Sequence, residues 1–180
     1  MIADELWAWL RERSVTRFRL LADSSSIITL DAIGIWKQSQ SIIKIKTIEE
    51  VASEVQALAS ELTVLPALEN PGKPPGSKWP AYEQAATDVR LLYQAYNQKN
   101  SIVIADDRRI LREAETWGIE RFDSFMFLVL LRYKDLACPP GIGQQQFEQA
   151  LSLLRTRNAE QAELCLLRNR VLFQLRHETG

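Results

Sequence analysis

The sequence predicts an α/β protein in which a parallel sheet of about four or five strands is flanked by helices. Short apolar runs typical of buried strands alternate with segments whose apolar residues recur at helical spacing. The chain has 180 residues, of which 46% are hydrophobic, enough for one domain with a core of its own. Its 7 glycines and 7 prolines argue against a loop-rich or fibrous chain.

The first half of the chain alternates between helical and strand patterns. The predicted elements are a helix over Ile2–Arg13, a strand over Phe18–Ala22, a helix over Ile27–Ile35 that ends near Gly34, a strand over Ser41–Lys46, and a helix over residues 48–62 that Thr47 caps. In the last of these helices Val51, Val55 and Leu58 form a core stripe.

The second half begins with a loop over residues 66–80, which holds five prolines. The predicted elements that follow are a helix over Ala81–Gln98 with Val89, Leu92, Tyr93 and Tyr96 on its buried face, a strand over Ile102–Ala105, a helix that Gly118 ends, a strand over Ile119–Phe122, a helix over residues 123–135, and further helices after Cys138. We expect three regions: an N-terminal helical extension (1–18), a central domain (19–137) and a C-terminal helical extension (138–180).

Composition excludes several functional classes. The net charge of −1 does not fit a strongly basic nucleic-acid coat. Cys138 and Cys165 form no CxxC pair, and the single histidine, His177, lies near the C-terminus, so zinc and Cys–His chemistry are poorly supported. No apolar run approaches the roughly 20 residues of a membrane-spanning helix. We therefore expect a cytoplasmic protein that does not enter membranes.

Acidic residues cluster where the predicted strands end. Asp23 follows the first strand, and Asp106 and Asp107 follow the strand over Ile102–Ala105. The carboxyl ends of parallel strands share one edge, where ligands bind. Asp88 and Glu54 lie on helices that join this edge. Clustered carboxylates raise one another's pKa, and Mg²⁺ or Mn²⁺ relieves that repulsion, polarises phosphate groups and activates water.

Each of these acids also has an ordinary structural explanation when it is taken alone. Asp23 suits a helix N-cap, and Asp88 suits a polar helix position. Glu54 suits a solvated helix face that it shares with other glutamates. The chain's arginines suit solvated faces as well as a phosphate-binding surface. A functional site is therefore indicated only by these acids taken together.

The set of acids resembles that of PIN-domain ribonucleases, the VapC-type toxins and their relatives, over about Arg19 to Tyr133. "LLADSSSIITLDAIG" is similar to the family's opening, where a strand delivers an Asp to an apolar helix. "IKTIEEVASEV" is similar to its second segment, which supplies a glutamate. "TDVRLLYQAYNQKNSIVIADDRRILREAETWGI" resembles its third and fourth segments.

The resemblance implies a PIN-like three-layer fold and a metal-dependent endoribonuclease, such as the toxin of a toxin–antitoxin pair. The implied catalytic residues are Asp23, Glu54, Asp88 and Asp107. Asp23, Asp88 and Asp107 would hold Mg²⁺ or Mn²⁺; because Ala105 stands where the family often has Thr or Ser, Asp106 is an equal candidate for the last ligand. We expect Arg108 to hold the substrate phosphate. The implied partners are RNA and an antitoxin protein.

Two other classes fit the sequence less well. A response-regulator receiver needs its acidic pair after the first strand, whereas the pair here comes late. A Rossmann domain needs a glycine-rich turn where this chain has "DSSS". The main alternative is a catalytically inactive PIN-like module that binds a protein or a nucleic acid, with its helical ends as the interface.

We also expect a homodimer or a heteromeric complex; the alternative is that the apolar residues concerned all belong to the core. The run "FMFLVLLRY" holds more large apolar residues than one helix face needs, and Trp7 and Trp36 flank other helices with exposed-looking faces.

Overall fold

A computed structural model describes residues 18–137 and 141–157 of the chain. The described helices are α1 (Ser24–Ala32), α2 (Trp36–Ile42), α3 (Glu49–Glu54), α4 (Thr87–Asn97), α5 (Arg108–Thr116), α6 (Ser124–Ala137) and α7 (Gln144–Arg157). The strands are β1 (Arg19–Ala22), β2 (Ile45–Ile48), β3 (Thr63–Leu65), β4 (Ser101–Ile104) and β5 (Glu120–Phe122). Two 3-10 helices cover Gln56–Glu61 and Tyr82–Gln84.

The five strands form one sheet in the order β3-β2-β1-β4-β5, and every neighbouring pair is parallel. This confirms the predicted α/β class and the parallel sheet flanked by helices. The ends of β1 and β4 lie side by side, since Ala22 pairs with Ile104.

The central strands are buried on both faces, as strands of a parallel sheet are. Leu20, Leu21 and Ala22 of β1 have no exposed surface, and neither do Ile102 and Val103 of β4. Continuous apolar runs at these two positions therefore fix the middle of the sheet.

The chain divides into two compact units. One is formed by residues 18–124 and holds the whole sheet. The other includes the described residues 125–137 and 141–157. The predicted helix over Ile2–Arg13 and most of the C-terminal extension lie outside the described residues, so the predicted domain limits stay a prediction.

The segment between β1 and β2 differs from the prediction. The first helix begins at Ser24 because Asp23 caps it, and Gly34, at a φ of +75°, turns the chain into α2. This second helix was not predicted, and β2 begins at Ile45 rather than at Ser41. Thr47 is not the predicted cap: it lies in β2 and its buried hydroxyl donates to the carbonyl of Ala22 at 2.8 Å.

The helix predicted over residues 48–62 is shorter than expected. It ends when Val55 adopts φ and ψ of −110° and 42°, and a 3-10 helix then leads to β3. Strand β3, which the sequence did not predict, is the edge strand beside β2. Val51 and Val55 are buried as predicted, at 1% and 6% exposure.

The helix before β4 begins at Thr87, six residues later than predicted, and Leu92 and Tyr93 are buried on it. Tyr96 is 38% exposed, so its predicted burial is wrong; it lies in the last turn, where its side chain reaches solvent. Gly118, at a φ of +68°, separates α5 from β5 as the sequence predicts.

The apolar surfaces that suggested a dimer are buried within the chain. Trp36 is 1% exposed, and Phe125 to Leu131 are all buried. These residues therefore offer no apolar face to a partner. Trp7 lies outside the described residues, and no described residue supports the expected homodimer.

None of the described helices is long and apolar enough to cross a membrane.

Candidate functional site

The strand order reverses between β1 and β4, which are neighbours in the sheet although β1 is followed in the chain by β2. In open parallel sheets, ligands bind beyond the carboxyl ends of the strands at such a reversal. Asp23 follows β1 directly, and Ala105 and Asp106 follow β4. The fold therefore brings these acids to the position where an α/β sheet most often binds a ligand.

Asp23 is held rigidly at this edge. Its backbone N–H donates to the carbonyl of Ile104 at 3.0 Å, which continues the β1–β4 pairing by one residue. Its carboxylate Oδ1 accepts from the backbone N–H of Ser26 at 2.8 Å, which caps α1, and Oδ2 accepts from the hydroxyl of Ser25 at 2.7 Å. The side chain therefore acts as the N-cap of α1, and only 2% of the residue is exposed.

Burial raises the pKa of Asp23 from 3.8 to about 6. Desolvation is the largest cause, and the negative charge of Asp106 adds to it. The hydrogen bonds from Ser25 and Ser26 act in the opposite direction and lower the pKa. A buried carboxylate with a raised pKa at a ligand-binding edge is typical of functional sites, although caps and ion networks also perturb acids.

Asp106 is also tied into the fold. Its two carboxylate oxygens accept from the backbone N–H and the hydroxyl of Ser124 at 2.9 and 2.8 Å, which caps the start of α6. Its own N–H donates to the hydroxyl of Ser25 at 3.2 Å. Ser25 therefore links Asp23 and Asp106. These two acids are called the inner carboxylates below.

Three further acids, the outer carboxylates, are Glu54, Asp88 and Asp107. Asp107 is the N-cap of α5, where its Oδ1 accepts from the backbone N–H of Arg109 at 2.7 Å, and it is exposed. Asp88 lies in the first turn of α4 and is half-buried, and Glu54 is the exposed last residue of α3. No described residue forms a hydrogen bond with the carboxylate of Asp88 or Glu54.

The outer carboxylates interact electrostatically. Burial raises the pKa of Asp88, and the negative charges of Asp107 and Glu54 raise it further. The charge of Arg109 lowers it. The charges of Glu54 and Asp107 therefore both act on the half-buried Asp88.

The structure thus relates the predicted acids as two groups. Asp106 is the neighbour of Asp23, whereas Asp107 is the neighbour of Asp88. Asp106 has both of its oxygens engaged by Ser124, whereas only one oxygen of Asp107 accepts a hydrogen bond from the described residues.

The arginine that the electrostatics link to Asp88 is Arg109 rather than Arg108. Both are exposed residues at the start of α5. The role expected of Arg108 in holding a substrate phosphate stays a prediction.

Asp123 is an acid at the same edge that the sequence reasoning did not select. It directly follows β5 and is 9% exposed. The rule that selected Asp23 and Asp106, an acid immediately after a parallel strand, applies equally to Asp123.

The proline-rich loop before Asp88 is fastened to α4. The amide of Gln94 donates to the carbonyl of Pro66 at 2.8 Å, and the hydroxyl of Tyr93 donates to that of Pro80 at 2.7 Å. The amide of Asn97 both donates to and accepts from the backbone of Gly72. These bonds fix the loop at both ends of its course, and so they help position the first turn of α4 and Asp88.

The donor chemistry of the acidic edge fits a hard cation. Its candidate ligands are carboxylate oxygens, which Mg²⁺ and Mn²⁺ prefer, and the outer carboxylates keep oxygens that accept no hydrogen bond from described residues. Within residues 18–137 and 141–157, no three His, Cys, Asp or Glu side chains lie close enough together to hold a metal ion.

Comparison with protein-family models, with curated proteins and with solved structures finds no match to this chain.

Proposed function

We propose that this chain is a Mg²⁺- or Mn²⁺-dependent endoribonuclease of the PIN type. The observation that carries the proposal is the pair Asp23 and Asp106 at the strand-order reversal, together with half-buried Asp88, on which the charges of Asp107 and Glu54 act. Burial raises the pKa of Asp23 and of Asp88, and the negative charges of neighbouring acids raise both further. A bound cation would offset this repulsion.

In this proposal Asp23, Asp88 and Asp107 hold the cation, and Glu54 completes the acidic pocket. A bound cation of this kind polarises a phosphodiester and lowers the pKa of a coordinated water. Asp107 is preferred to Asp106 as the ligand because it is exposed and only one of its oxygens accepts a hydrogen bond from the described residues.

Substrate positioning falls to the arginines at the start of α5. An acidic edge repels a phosphate backbone, so cationic side chains beside the acids are needed to hold it. Arg109 has this role in the proposal because its charge already acts on Asp88, and exposed Arg108 contacts the next phosphate. An antitoxin partner remains a prediction from the family resemblance alone.

A second candidate, a catalytically inactive PIN-like module that binds a protein or a nucleic acid, is favoured by the inner carboxylates. Asp23 and Asp106 use all their oxygens to bond Ser25, Ser26 and Ser124. Acids retained purely as helix caps would look the same.

Incubation of the protein with a panel of single-stranded RNAs separates the two candidates. We expect cleavage in Mn²⁺ or Mg²⁺ and none in EDTA. Asp107→Asn keeps the side-chain shape and removes one ligand charge. The rate of cleavage should therefore fall by about two orders of magnitude or more, which corresponds to a rise of several kcal/mol in the activation free energy.

Asp31→Asn is the matched control, because Asp31 is an exposed acid eight residues further along α1, about 12 Å from Asp23 at 1.5 Å per residue. It should cleave as the wild type does. Cleavage that survives EDTA, or equal rates for Asp107→Asn and the wild type, would contradict the nuclease. Absence of cleavage together with binding of RNA or of a partner protein would favour the inactive module.

A further inference from the structure

A cavity of about 210 Å³ lies beside the outer carboxylates. The end of the proline-rich loop, the first two turns of α4 and the first two turns of α5 enclose it. The lining side chains that matter here are Trp79, Asp88, Val89, Leu92, Arg109 and Glu113. Asp88 belongs to both the acidic edge and this cavity, so a molecule in the cavity lies next to the candidate cation site.

The aromatic wall is held in place before any ligand enters. Trp79 is 6% exposed, and its indole N–H donates to Oε1 of Glu113 at 2.5 Å. The same oxygen accepts from the indole of Trp117 at 2.6 Å. On another side the ring of Trp79 meets that of Tyr93 edge-on, with centroids 5.0 Å apart. A wall that does not have to be ordered on binding favours affinity.

The size and the walls favour one planar ring system. Pockets for drug-sized ligands begin at roughly 300 Å³, so this cavity suits a smaller group. Trp79 supplies an aromatic surface, and Val89 and Leu92 supply aliphatic ones. Aromatic and aliphatic side chains of this kind hold the unstacked bases of single-stranded nucleic acids.

The charged side chains of the cavity are the acceptors Asp88 and Glu113 and the donors Lys78 and Arg109. The acceptors favour bases that carry an amino group, since the Asp88 carboxylate and Oε2 of Glu113 can accept hydrogen bonds from it, for instance from the amino group of cytosine. Uracil has no amino group, and the carbonyl oxygens on either side of its ring N–H would oppose a carboxylate. Arg109 is exposed and lines the same cavity, so it can hold the phosphate attached to the bound base.

We propose that this cavity binds a single amino-bearing base of single-stranded RNA, next to the phosphodiester presented to the acidic edge. The inference rests on the proposed function, because it assigns the base-recognition part of that site. Base binding itself needs neither a cation nor cleavage, and so it is measured separately.

Fluorescence anisotropy in EDTA with fluorescein-labelled hexacytidylate, hexaadenylate and hexauridylate tests the proposal. We expect the cytidine and adenosine hexamers to bind at least about tenfold more tightly than the uridine hexamer, the discrimination that one well-formed base contact provides. Competition with unlabelled CMP shows whether a free nucleotide suffices or the chain of phosphates is needed.

Val89→Phe fills the cavity from a half-buried helix position, and Val64→Phe makes the same change on the edge strand at a residue that is 42% exposed. Val89→Phe should remove the preference for amino-bearing bases, whereas Val64→Phe should keep it. Circular dichroism and thermal melting show whether both variants fold.

If Val89→Phe does not fold, Arg109→Ala replaces it, with Arg112→Ala as the control on the same helix outside the cavity. Arg109→Ala should weaken all three hexamers several-fold and Arg112→Ala none. Equal binding of the three hexamers by the wild type, or an unchanged preference in folded Val89→Phe, overturns the proposal. So does equal binding by Arg109→Ala and Arg112→Ala.

Cleavage by the same proteins in Mn²⁺ keeps the two proposals apart. A base preference without cleavage refutes the nuclease and leaves the base site standing. Cleavage without a base preference refutes only the base site.

Discussion

The inner and outer carboxylates share one edge of the sheet but differ in how the fold treats them. Asp23 and Asp106 bond serine donors with every oxygen, and burial raises the pKa of Asp23 to about 6. Asp88 and Glu54 have no hydrogen bond from described residues, and Asp107 accepts only one. The inner pair therefore caps two helices in the absence of a ligand, whereas the outer group has carboxylate oxygens that accept no hydrogen bond from described residues.

The largest expected effect separates activity from stability at an outer position. Asp88→Asn should lower Mn²⁺-dependent RNA cleavage by about two orders of magnitude or more, because a ligand charge is lost. The free energy of unfolding in EDTA should not fall, because the change also removes a charge that Asp107 and Glu54 repel. Cleavage assays and urea unfolding measure the two quantities. If Asp88→Asn instead lost stability and kept its activity, Asp88 would have a structural role and would not be a ligand.

The second effect concerns the inner position and pH. The folded pKa of Asp23, about 6, lies above its ordinary value of 3.8, so folding favours the protonated form. The stability that Asp23 contributes is present below pH 3.8 and is lost as the pH rises through 6, a difference of about 3 kcal/mol. Asn cannot ionise but still caps a helix.

Asp23→Asn should therefore gain stability relative to the wild type between pH 4 and pH 7.5, with most of the gain complete above pH 6.5. Urea unfolding of both proteins in EDTA across this range measures the difference, with Asp31→Asn as the matched control. If the difference in unfolding free energy between the two proteins stayed constant with pH, burial would not raise the pKa of the Asp23 carboxylate.

The smallest effect compares the two adjacent acids. Asp106→Ala removes two hydrogen bonds from Ser124 to a charged acceptor and should cost about 2–3 kcal/mol of unfolding free energy. Asp107→Ala removes one exposed cap bond and should cost about 1 kcal/mol. Thermal or urea unfolding ranks them. Equal losses would show that Asp106 is no more structural than Asp107.

The sequence predicted where this acidic edge lies better than it predicted the role of each acid there. The apolar runs at β1 and β4 and the acids that follow them were sufficient to place Asp23 and Asp106 at the same edge of the sheet, because the carboxyl ends of parallel strands share one edge. The split between Asp106 and Asp107 was not predictable, since it depends on which acid the serine at the start of α6 reaches.

Other errors have the same origin in contacts between distant residues. Thr47 looks like a helix cap locally, but its hydroxyl bonds Ala22 on the neighbouring strand. Trp36 looked exposed, but the fold buries it. The edge strand β3 is only three residues long, too short for an alternating pattern to reveal it.

In the proposed nuclease, the carboxylates at the strand-order reversal together form one site for a hard cation. Isothermal titration of the wild type with Mn²⁺ at pH 7.5, where Asp23 is ionised, tests it directly. We predict one Mn²⁺ per chain and an affinity that falls at least about tenfold in Asp88→Asn and in Asp107→Asn, while Asp31→Asn binds as the wild type does. No binding by the wild type, or equal affinities for all four proteins, would contradict the claim.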